Sequence, residues 1–155
     1  MLLYLVQHGK SKPKEEDPDR SLTDEGEADV RKVASYVASK GACGTVHRIL
    51  HSDKTRARQT AEILGEYLQL QGGVEAAEGL APMDDPDIWA AKIEELTDDM
   101  MLAGHLPHLS RLASLLISGD AAQKVIDFRN GGIVCLKRDE EGAWSVVWIV
   151  APEVV

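Results

Sequence analysis

Apolar positions along the chain form short continuous runs, and each early run is followed by a segment with helical spacing. An unbroken apolar run, without the alternation of a half-exposed strand, is typical of a strand buried on both faces of a sheet. Four runs are predicted to be such strands: residues 2–6, 46–51, 74–77 and 100–104. The alternation of these runs with helical segments favours a mostly parallel sheet.

The helices are predicted from their apolar spacing and from the residues at their ends. Side chains that accept hydrogen bonds from backbone N–H groups favour helix N-termini, proline favours the first helical position, and glycine favours the residue after the helix. The predicted limits are Thr23 to Gly41, Ser52 or Asp53 to Gly72-Gly73, a start at Asp85-Pro86, and a start at Pro107.

The C-terminal part of the chain has a different pattern. Residues 133–136 and 144–150 are apolar, and the segment 139–142 between them, which ends in Gly142, predicts an antiparallel hairpin. Neither a repeat nor an interdomain linker is visible. The pattern therefore predicts an α/β fold: a three-layer α/β/α sandwich with a mostly parallel central sheet and a C-terminal antiparallel hairpin, in one domain over residues 1–155.

Composition restricts the partners. The 155 residues are 44% hydrophobic, enough for one sizeable core, and the net charge is -9. This acidic balance argues against nucleic acid or a membrane as a partner, although a local cationic pocket can still bind a small phosphorylated substrate.

Cys43 and Cys135 are predicted to be free thiols of a reducing compartment. Because the initial apolar run is also too short for a signal peptide, we expect a cytoplasmic protein.

Three predicted strands end in polar residues suited to an anion site. The first run stops at Gln7-His8-Gly9, the second at His51-Ser52 leading to Arg56, and the fourth at Gly104-His105. Ligands of open parallel sheets bind beyond the carboxyl ends of the strands, so these residues converge if the strands are neighbours. We expect Gly9 and Gly104 to leave room where the backbone passes close to a ligand.

These segments resemble those of a known family. Gln7-His8-Gly9, Ser52-x-x-x-Arg56-Ala57-x-Gln59-Thr60 and Gly104-His105-Leu106-Pro107 occur in the order found in the histidine phosphatase superfamily. Its short branch, the SixA-type phosphohistidine phosphatases, is similar in length and has an Arg-x-Leu-Thr segment, which Arg20-Ser21-Leu22-Thr23 matches. The resemblance covers nearly the whole chain and includes the terminal hairpin.

The resemblance implies a role for each of these residues. His8 would attack phosphorus and carry a covalent phosphohistidine, which water then hydrolyses. Arg56 would hold two phosphoryl oxygens with its planar guanidinium, and His105 would donate to a third. Gln7 and Gly9 would also bind the phosphoryl group, and Arg20 would contact the substrate. No metal or cofactor is required for this chemistry.

The chain departs from the family pattern in two places. Gln7 occupies the position before the nucleophile where the family usually has arginine, so compensating charge is expected from another cation. The candidates for this cation are Lys10, Lys54 and Arg20. The segment that supplies a carboxylate proton donor in larger members offers only unassigned candidates, Glu78, Asp84 and Asp85. An imidazole leaves phosphorus more readily than an alkoxide, so the lack of an assigned acid favours an N–P bond in the substrate.

Several alternatives remain open at the sequence level. The preferred function is removal of phosphate from phosphohistidine on a protein, such as a histidine phosphotransfer protein. The alternatives are a small-molecule phosphomonoesterase and a non-catalytic relative that binds phosphate or a phosphoprotein.

The remaining histidines and the tryptophans have structural explanations. Two histidine pairs could suggest zinc but lack a third ligand, so solvated or hydrogen-bonded side chains are expected. The tryptophans are expected to be packing residues. These side chains are His47 with His51, His105 with His108, and Trp89, Trp144 and Trp148.

Overall fold

A single six-stranded sheet forms the centre of the computed structural model, which describes residues 1–155. The strands are β1 (Leu2–Gln7), β2 (Ile49–His51), β3 (Val74–Ala76), β4 (Met100–Gly104), β5 (Ile133–Arg138) and β6 (Trp144–Val150). Their order across the sheet is β3-β2-β4-β1-β5-β6. The first four strands are parallel, whereas β5 is antiparallel to β1 and β6 to β5. The predicted sheet and hairpin are therefore confirmed.

Helices cover both faces of this sheet. They are α1 (Asp24–Ser39), α2 (Thr55–Leu68), α3 (Pro86–Glu95) and α4 (His108–Ser118), and a short 3-10 turn spans Pro152–Val154. Residues of α1 and α2 form one apolar cluster with Tyr4 and Val6 of β1. Residues of α3 and α4 form the other cluster with Leu3 and Leu5. Since successive side chains of β1 enter opposite clusters, the three-layer arrangement follows directly from the unbroken apolar run.

Two of the predicted helix starts are confirmed atom by atom. The Thr23 side chain accepts a hydrogen bond from the Gly26 N–H at 2.9 Å, and α1 begins directly after Thr23, at Asp24. The Asp85 side chain accepts from the Asp87 N–H at 2.9 Å, with Pro86 in the first turn of α3. Both caps satisfy N–H groups that a helix leaves without partners.

The limits of β2 and α2 were predicted wrongly. Strand β2 begins at Ile49 rather than residue 46, because the Val46 N–H is used in a turn, donating to the Cys43 carbonyl at 3.1 Å. Helix α2 has Lys54 as its N-cap, without a side-chain hydrogen bond, instead of Ser52 or Asp53. It ends at Leu68, before the predicted glycine pair, because Gln69 adopts the left-handed conformation (φ 52°) that closes the helix.

The tryptophans and cysteines lie where packing explains them. Trp89 is buried and its indole N–H donates to the Glu78 carbonyl at 2.9 Å, while Trp148 packs on Tyr4 with ring centroids 5.8 Å apart. Cys43 and Cys135 are buried free thiols, and burial raises the pKa of Cys43 to about 12. No helix has both the length and the apolar character needed to cross a bilayer.

Candidate active site

The sheet order places three polar strand ends side by side. Strand β4 lies between β1 and β2, so the residues that follow these three strands share one edge of the sheet. The His8 N–H donates to the Gly104 carbonyl at 3.0 Å, and the Ser52 N–H donates to the Ala103 carbonyl at 3.2 Å. These bonds extend the strand pairing by one residue on each side of β4. His8, Ser52 and His105 therefore lie on a rigid edge.

His8 is held in one tautomer by its neighbour. Its ring Nδ1 lies 2.7 Å from the Gly9 carbonyl oxygen, which can only accept, so Nδ1 carries the proton and Nε2 keeps its lone pair. The pKa of His8 is lowered to about 4, mainly by burial and further by the charges of Arg56 and Arg20, against the opposing effect of the Gly9 bond. The ring is therefore neutral at neutral pH.

His105 lies beside His8, with ring centroids 5.0 Å apart. Its Nε2 is 2.5 Å from the Ser52 hydroxyl oxygen, and its Nδ1 is buried without a partner in the protein. Burial lowers the pKa of His105 to about 3, and the nearby charges of Arg56 and Lys54 and the ring of His8 act in the same direction. Ser52 is thus the direct partner of His105, a role that its predicted place as a helix cap did not reveal.

Arg56 and Arg20 supply positive charge at this edge. The Arg56 Nε is buried without a hydrogen-bond partner, and its pKa is lowered by burial and by Arg20. Arg20 has φ 49°, a conformation that costs a non-glycine residue about 1–2 kcal/mol. Its guanidinium donates to the Lys12 carbonyl and the Ser11 hydroxyl, each at 3.3 Å. Its charge lowers the pKa of both His8 and Arg56.

The three cations expected to compensate for Gln7 interact with different groups in the structure. The charge of Arg20 lowers the pKa of His8, and the charge of Lys54 lowers the pKa of His105. Lys10 instead forms an exposed ion pair with Glu25 at 2.5 Å.

Gln7 itself is buried. Only 8% of the Gln7 side chain is exposed, and its Oε1 has no hydrogen-bond partner. Its backbone carbonyl accepts from the Gly131 N–H at 2.9 Å, while the Asn130 side chain donates to the His8 carbonyl at 3.0 Å. The turn before β5 therefore fixes the backbone of the His8 segment from the other side of β1.

Thr60 joins two segments of the site and was not singled out by its chemistry in the sequence. Its hydroxyl oxygen accepts from the Gly9 N–H at 3.0 Å, and its O–H donates to the Arg56 carbonyl at 2.8 Å. The side chain is fully buried. The preceding Gln59 accepts from the Leu22 N–H at 2.7 Å. The only sequence signal for these roles was their place in the segment from Ser52 to Thr60.

The structure shows a packing reason for Gly9. A Cβ atom on Gly9 would lie 2.9 Å from the Val30 side chain and 3.0 Å from the Gly26 carbonyl, so the glycine permits close packing against α1. Gly26 is even more restricted, because its Cβ would lie 2.1 Å from the Lys10 carbonyl oxygen. A glycine in the first turn of a predicted helix was the available signal for this contact. At Gly104 a Cβ would lie 3.5 Å from the Leu80 carbonyl oxygen and 3.6 Å from the Leu109 side chain, which are ordinary contact distances.

Two clefts flank the N-terminus of α2. The first, of about 420 Å³, is polar and includes the predicted phosphate and substrate residues Arg56 and Arg20. The second, of about 340 Å³, contains two of the candidate proton donors. Its charged lining residues are Asp53, Lys54, Glu78 and Asp84.

The candidate donors are partly committed elsewhere. The Asp84 carboxylate accepts from the Ala81 N–H at 2.9 Å, and the Asp85 carboxylate caps α3. Glu78 is exposed at the cleft.

The histidine pairs do not form metal sites. His47 is exposed outside β2, while the buried His51 donates from Nδ1 to the Ser52 carbonyl at 2.7 Å. His108 is fully buried and neither ring nitrogen has a partner, so the expectation of a solvated or hydrogen-bonded side chain was wrong. Burial in the first turn of α4 lowers its pKa, which keeps the ring uncharged. No group of three or more His, Cys, Asp or Glu side chains is placed to hold a metal ion.

A known protein and a solved structure both resemble this chain over nearly its whole length. The chain is 27% identical to phosphohistidine phosphatase SixA of Escherichia coli (strain K12), over 98% of this chain and 94% of that protein. A solved structure of the protein histidine phosphatase SixA complexed with tungstate matches with a TM-score of 0.84 and 27% identity, covering 98% of this chain and 97% of the other.

A more distant structure shares the fold. A mycobacterial glucosyl-3-phosphoglycerate phosphatase in complex with VO3 matches with a TM-score of 0.73 at 16% identity, over 95% of this chain and 98% of that one. The family model of the histidine phosphatase superfamily (branch 1) matches residues 3–101, which include the His8 and Arg56 segments. On these grounds the chain belongs to the histidine phosphatase superfamily.

Proposed function

We propose that this chain is a metal-independent phosphatase in which His8 carries the phosphoryl group during turnover. In the first step the His8 Nε2 lone pair forms a bond to phosphorus as the bond to the leaving group breaks, and the leaving group takes a proton from solvent. In the second step the oxygen of a water molecule attacks phosphorus, the N–P bond breaks, and the water gives up a proton to solvent. Inorganic phosphate leaves, and His8 returns to its neutral form.

The observation that carries this proposal is the hydrogen bond from His8 Nδ1 to the Gly9 carbonyl, 2.7 Å long. It leaves Nε2 unprotonated, which is the form that attack on phosphorus requires. The low pKa of His8, about 4, keeps this form in large excess at neutral pH. A histidine used only for its positive charge would need the opposite environment.

Arg56 and His105 supply the contacts to the phosphoryl oxygens in this proposal. The buried Arg56 Nε lacks a protein partner, so its N–H is free to donate to an anion. His105 contributes a ring N–H to a further oxygen, and Ser52 holds that ring in place. Arg20 and Lys54 add the positive charge that Gln7 lacks. Loss of one such donor typically lowers kcat by about 10² to 10³.

The substrate favoured by the site is phosphohistidine on a protein. Asp84 and Asp85 are engaged by backbone N–H groups, so neither is a free proton donor in this structure. An imidazole leaving group needs less assistance from an acid than an alkoxide does. The 27% identity to phosphohistidine phosphatase SixA of Escherichia coli supports the same substrate class. The free thiols of Cys43 and Cys135 suit a cytoplasmic location.

A small phosphomonoester is the second candidate. Glu78 is exposed in the same cleft as Lys54, whose charge lowers the pKa of His105. A carboxylic acid in that cleft would protonate an alkoxide leaving group. Gln7 favours the third possibility, a relative that binds phosphate without turnover.

A phosphoenzyme trap separates these functions. The wild-type protein is mixed with phosphohistidine protein, phosphoserine, sugar phosphates or nitrophenyl phosphate. Two signals are measured: released phosphate, and base-stable phosphate on this chain after gel electrophoresis has separated it from the substrate. We expect both signals with the phosphohistidine protein, with or without EDTA. Neither is expected in His8→Ala, whereas His47→Ala, which alters an exposed histidine, should behave as wild type.

Each alternative has its own outcome. Turnover confined to sugar phosphates would establish the small-molecule function. Tight phosphate binding without phosphoenzyme or product would establish the binding module. Phosphate release undiminished in His8→Ala would rule out His8 as the nucleophile.

A further inference from the structure

A third cleft opens beside the site at the start of α4. It has a volume of about 490 Å³, and we call it the α4 cleft. Its lining includes Pro107, which is two residues after His105, and the intervening Leu106 is 40% exposed. The lining residues are Pro107, Ser110, Arg111, Ala121, Ala122 and Lys124.

The α4 cleft is cationic in a protein that is strongly acidic. Its charged lining residues are Arg111 and Lys124, both exposed, and no carboxylate lines it. Lys124 approaches Asp127 at 3.4 Å, but both side chains are more than 60% exposed, so water screens this pair. The acidic residues that give the protein its net charge of -9 are spread over the chain. Within the screening length of about 8 Å at physiological ionic strength, a ligand in the cleft meets the charges of Arg111 and Lys124, and Asp127 offsets part of the Lys124 charge.

The cleft that contains Lys54 has the reverse character, because it also contains Asp53, Glu78 and Asp84, three carboxylates against one cation. An acidic polypeptide is therefore repelled by the Lys54 cleft and attracted by the α4 cleft. This asymmetry orients a large substrate whose phosphoryl group is held at His8.

We propose that the α4 cleft docks an acidic segment of the phosphorylated protein substrate, next to the phosphohistidine that His8 attacks. Carboxylates of that segment pair with Arg111 and Lys124. Leu106 and Val125, which are each next in sequence to a residue that lines the cleft, have exposed side chains that add apolar contact. The inference rests on the proposed function, since it names the partner chemistry read by the same site.

The test compares two phosphohistidine peptides that differ only in flanking residues, several glutamates in one and glutamines in the other. At about 50 mM salt we expect the wild-type kcat/KM for the glutamate peptide to exceed that for the glutamine peptide by about tenfold. The double variant Arg111→Glu and Lys124→Glu should abolish or invert this preference. Its turnover of nitrophenyl phosphate should match the wild type, because neither residue belongs to the catalytic machinery.

A matched control keeps the change in net charge the same. The double variant Lys32→Glu and Lys40→Glu alters two exposed lysines in or next to α1, on the other face of the sheet, and should keep the peptide preference. In the wild type, raising the salt to about 0.5 M should remove the preference without any mutation. Equal kcat/KM values for both peptides at low salt, or an unchanged preference in the Arg111 and Lys124 variant, would overturn the proposal.

A binding measurement separates this inference from the catalytic one. Fluorescence anisotropy with unphosphorylated glutamate and glutamine peptides reports docking in the absence of turnover. Tighter binding of the glutamate peptide, lost in the Arg111 and Lys124 variant, supports the α4 cleft even if phosphohistidine proves not to be hydrolysed. Equal binding of both peptides rejects the cleft even if the phosphoenzyme forms on His8.

Discussion

The imidazole rings of His8 and His105 lie next to each other, with centroids 5.0 Å apart and planes tilted by 55°. Two positive charges at this distance would repel each other by about 1 kcal/mol in water and by about 3 kcal/mol in the less polar surroundings of a protein. Arg56 adds a third positive charge that acts on both rings. The site therefore favours two neutral rings until an anion enters.

The first prediction concerns the charge of these rings. With pKa values near 4 and 3, His8 and His105 should both remain neutral at pH 5.5, where a histidine with the ordinary value of 6.5 is mostly charged. NMR titration of the ring carbons measures this directly, with His8→Asn and His105→Asn used for assignment. A midpoint near 6.5 for either ring would contradict the environment described for it.

The same shifts make stability depend on pH. Between pH 6.5 and about 4 the unfolded chain binds more protons at His8 than the folded chain does, so the free energy of unfolding rises with pH there. The contribution is complete above pH 6.5 and is lost as the pH falls towards 4. Urea unfolding at pH 7, 5.5 and 4.5 should show a smaller acid loss in His8→Asn than in the wild type. Equal losses would show that His8 is not the group responsible.

The second prediction concerns the hydroxyl that holds His105. Ser52→Ala leaves the His105 Nε2 without its partner and lets the ring turn, so we expect kcat to fall by about tenfold. The buried Ser114 provides a matched control, because its hydroxyl has no partner and its removal should be neutral or stabilising. Phosphate-release rates and unfolding curves of both variants test this. Equal rates for Ser52→Ala and Ser114→Ala would show that Ser52 does not position His105.

The third prediction concerns Gly26. Helix propensity alone predicts that Gly26→Ala stabilises the protein by about 0.5–1 kcal/mol. The structure predicts the opposite, because the new Cβ would lie 2.1 Å from the Lys10 carbonyl oxygen, and overpacking of this kind costs about 1–3 kcal/mol. The displaced Lys10 backbone adjoins Gly9, so kcat/KM should fall as well.

Gly44→Ala is the control for this variant. The nearest atom to a Cβ at Gly44 is 3.4 Å away, and no strain of backbone conformation arises, so a small gain in stability is expected. Thermal unfolding of the two variants gives opposite signs if the Lys10 contact is decisive. A gain in both would contradict the packing described for α1.

The fourth prediction concerns Gln7. If its side chain faces the phosphoryl group, Gln7→Arg should raise the affinity for phosphate or tungstate by about tenfold or more, because bonds to a charged donor are stronger. Gln7→Leu, which keeps the size but removes the amide, should lower that affinity. Isothermal titration with tungstate measures both changes. Unchanged affinity and turnover in Gln7→Arg would show that Gln7 does not contact the phosphoryl group.

The order and type of the main elements could be predicted from sequence alone, because the signals are local. An unbroken apolar run such as residues 2–6 needs no partner to be identified as a doubly buried strand, and Thr23 and Asp85 cap helices within their own segments. The predicted limits that were wrong depended on contacts between segments that are distant in sequence. Ser52 does not cap α2 with its side chain and instead bonds to His105, which lies 53 residues away.

For the site, the residues His8, Arg56 and His105 were visible in the sequence as polar positions after apolar runs, and their resemblance to one family followed from those segments. Their mutual geometry required the tertiary structure, because the insertion of β4 between β1 and β2 cannot be deduced from local periodicity. The same holds for the Thr60 hydroxyl between Gly9 and Arg56 and for the close contact of Gly26 with Lys10. The type of each side chain is known from the sequence, whereas the distance between segments remote in sequence is decided only when the strands pair and the helices pack on them.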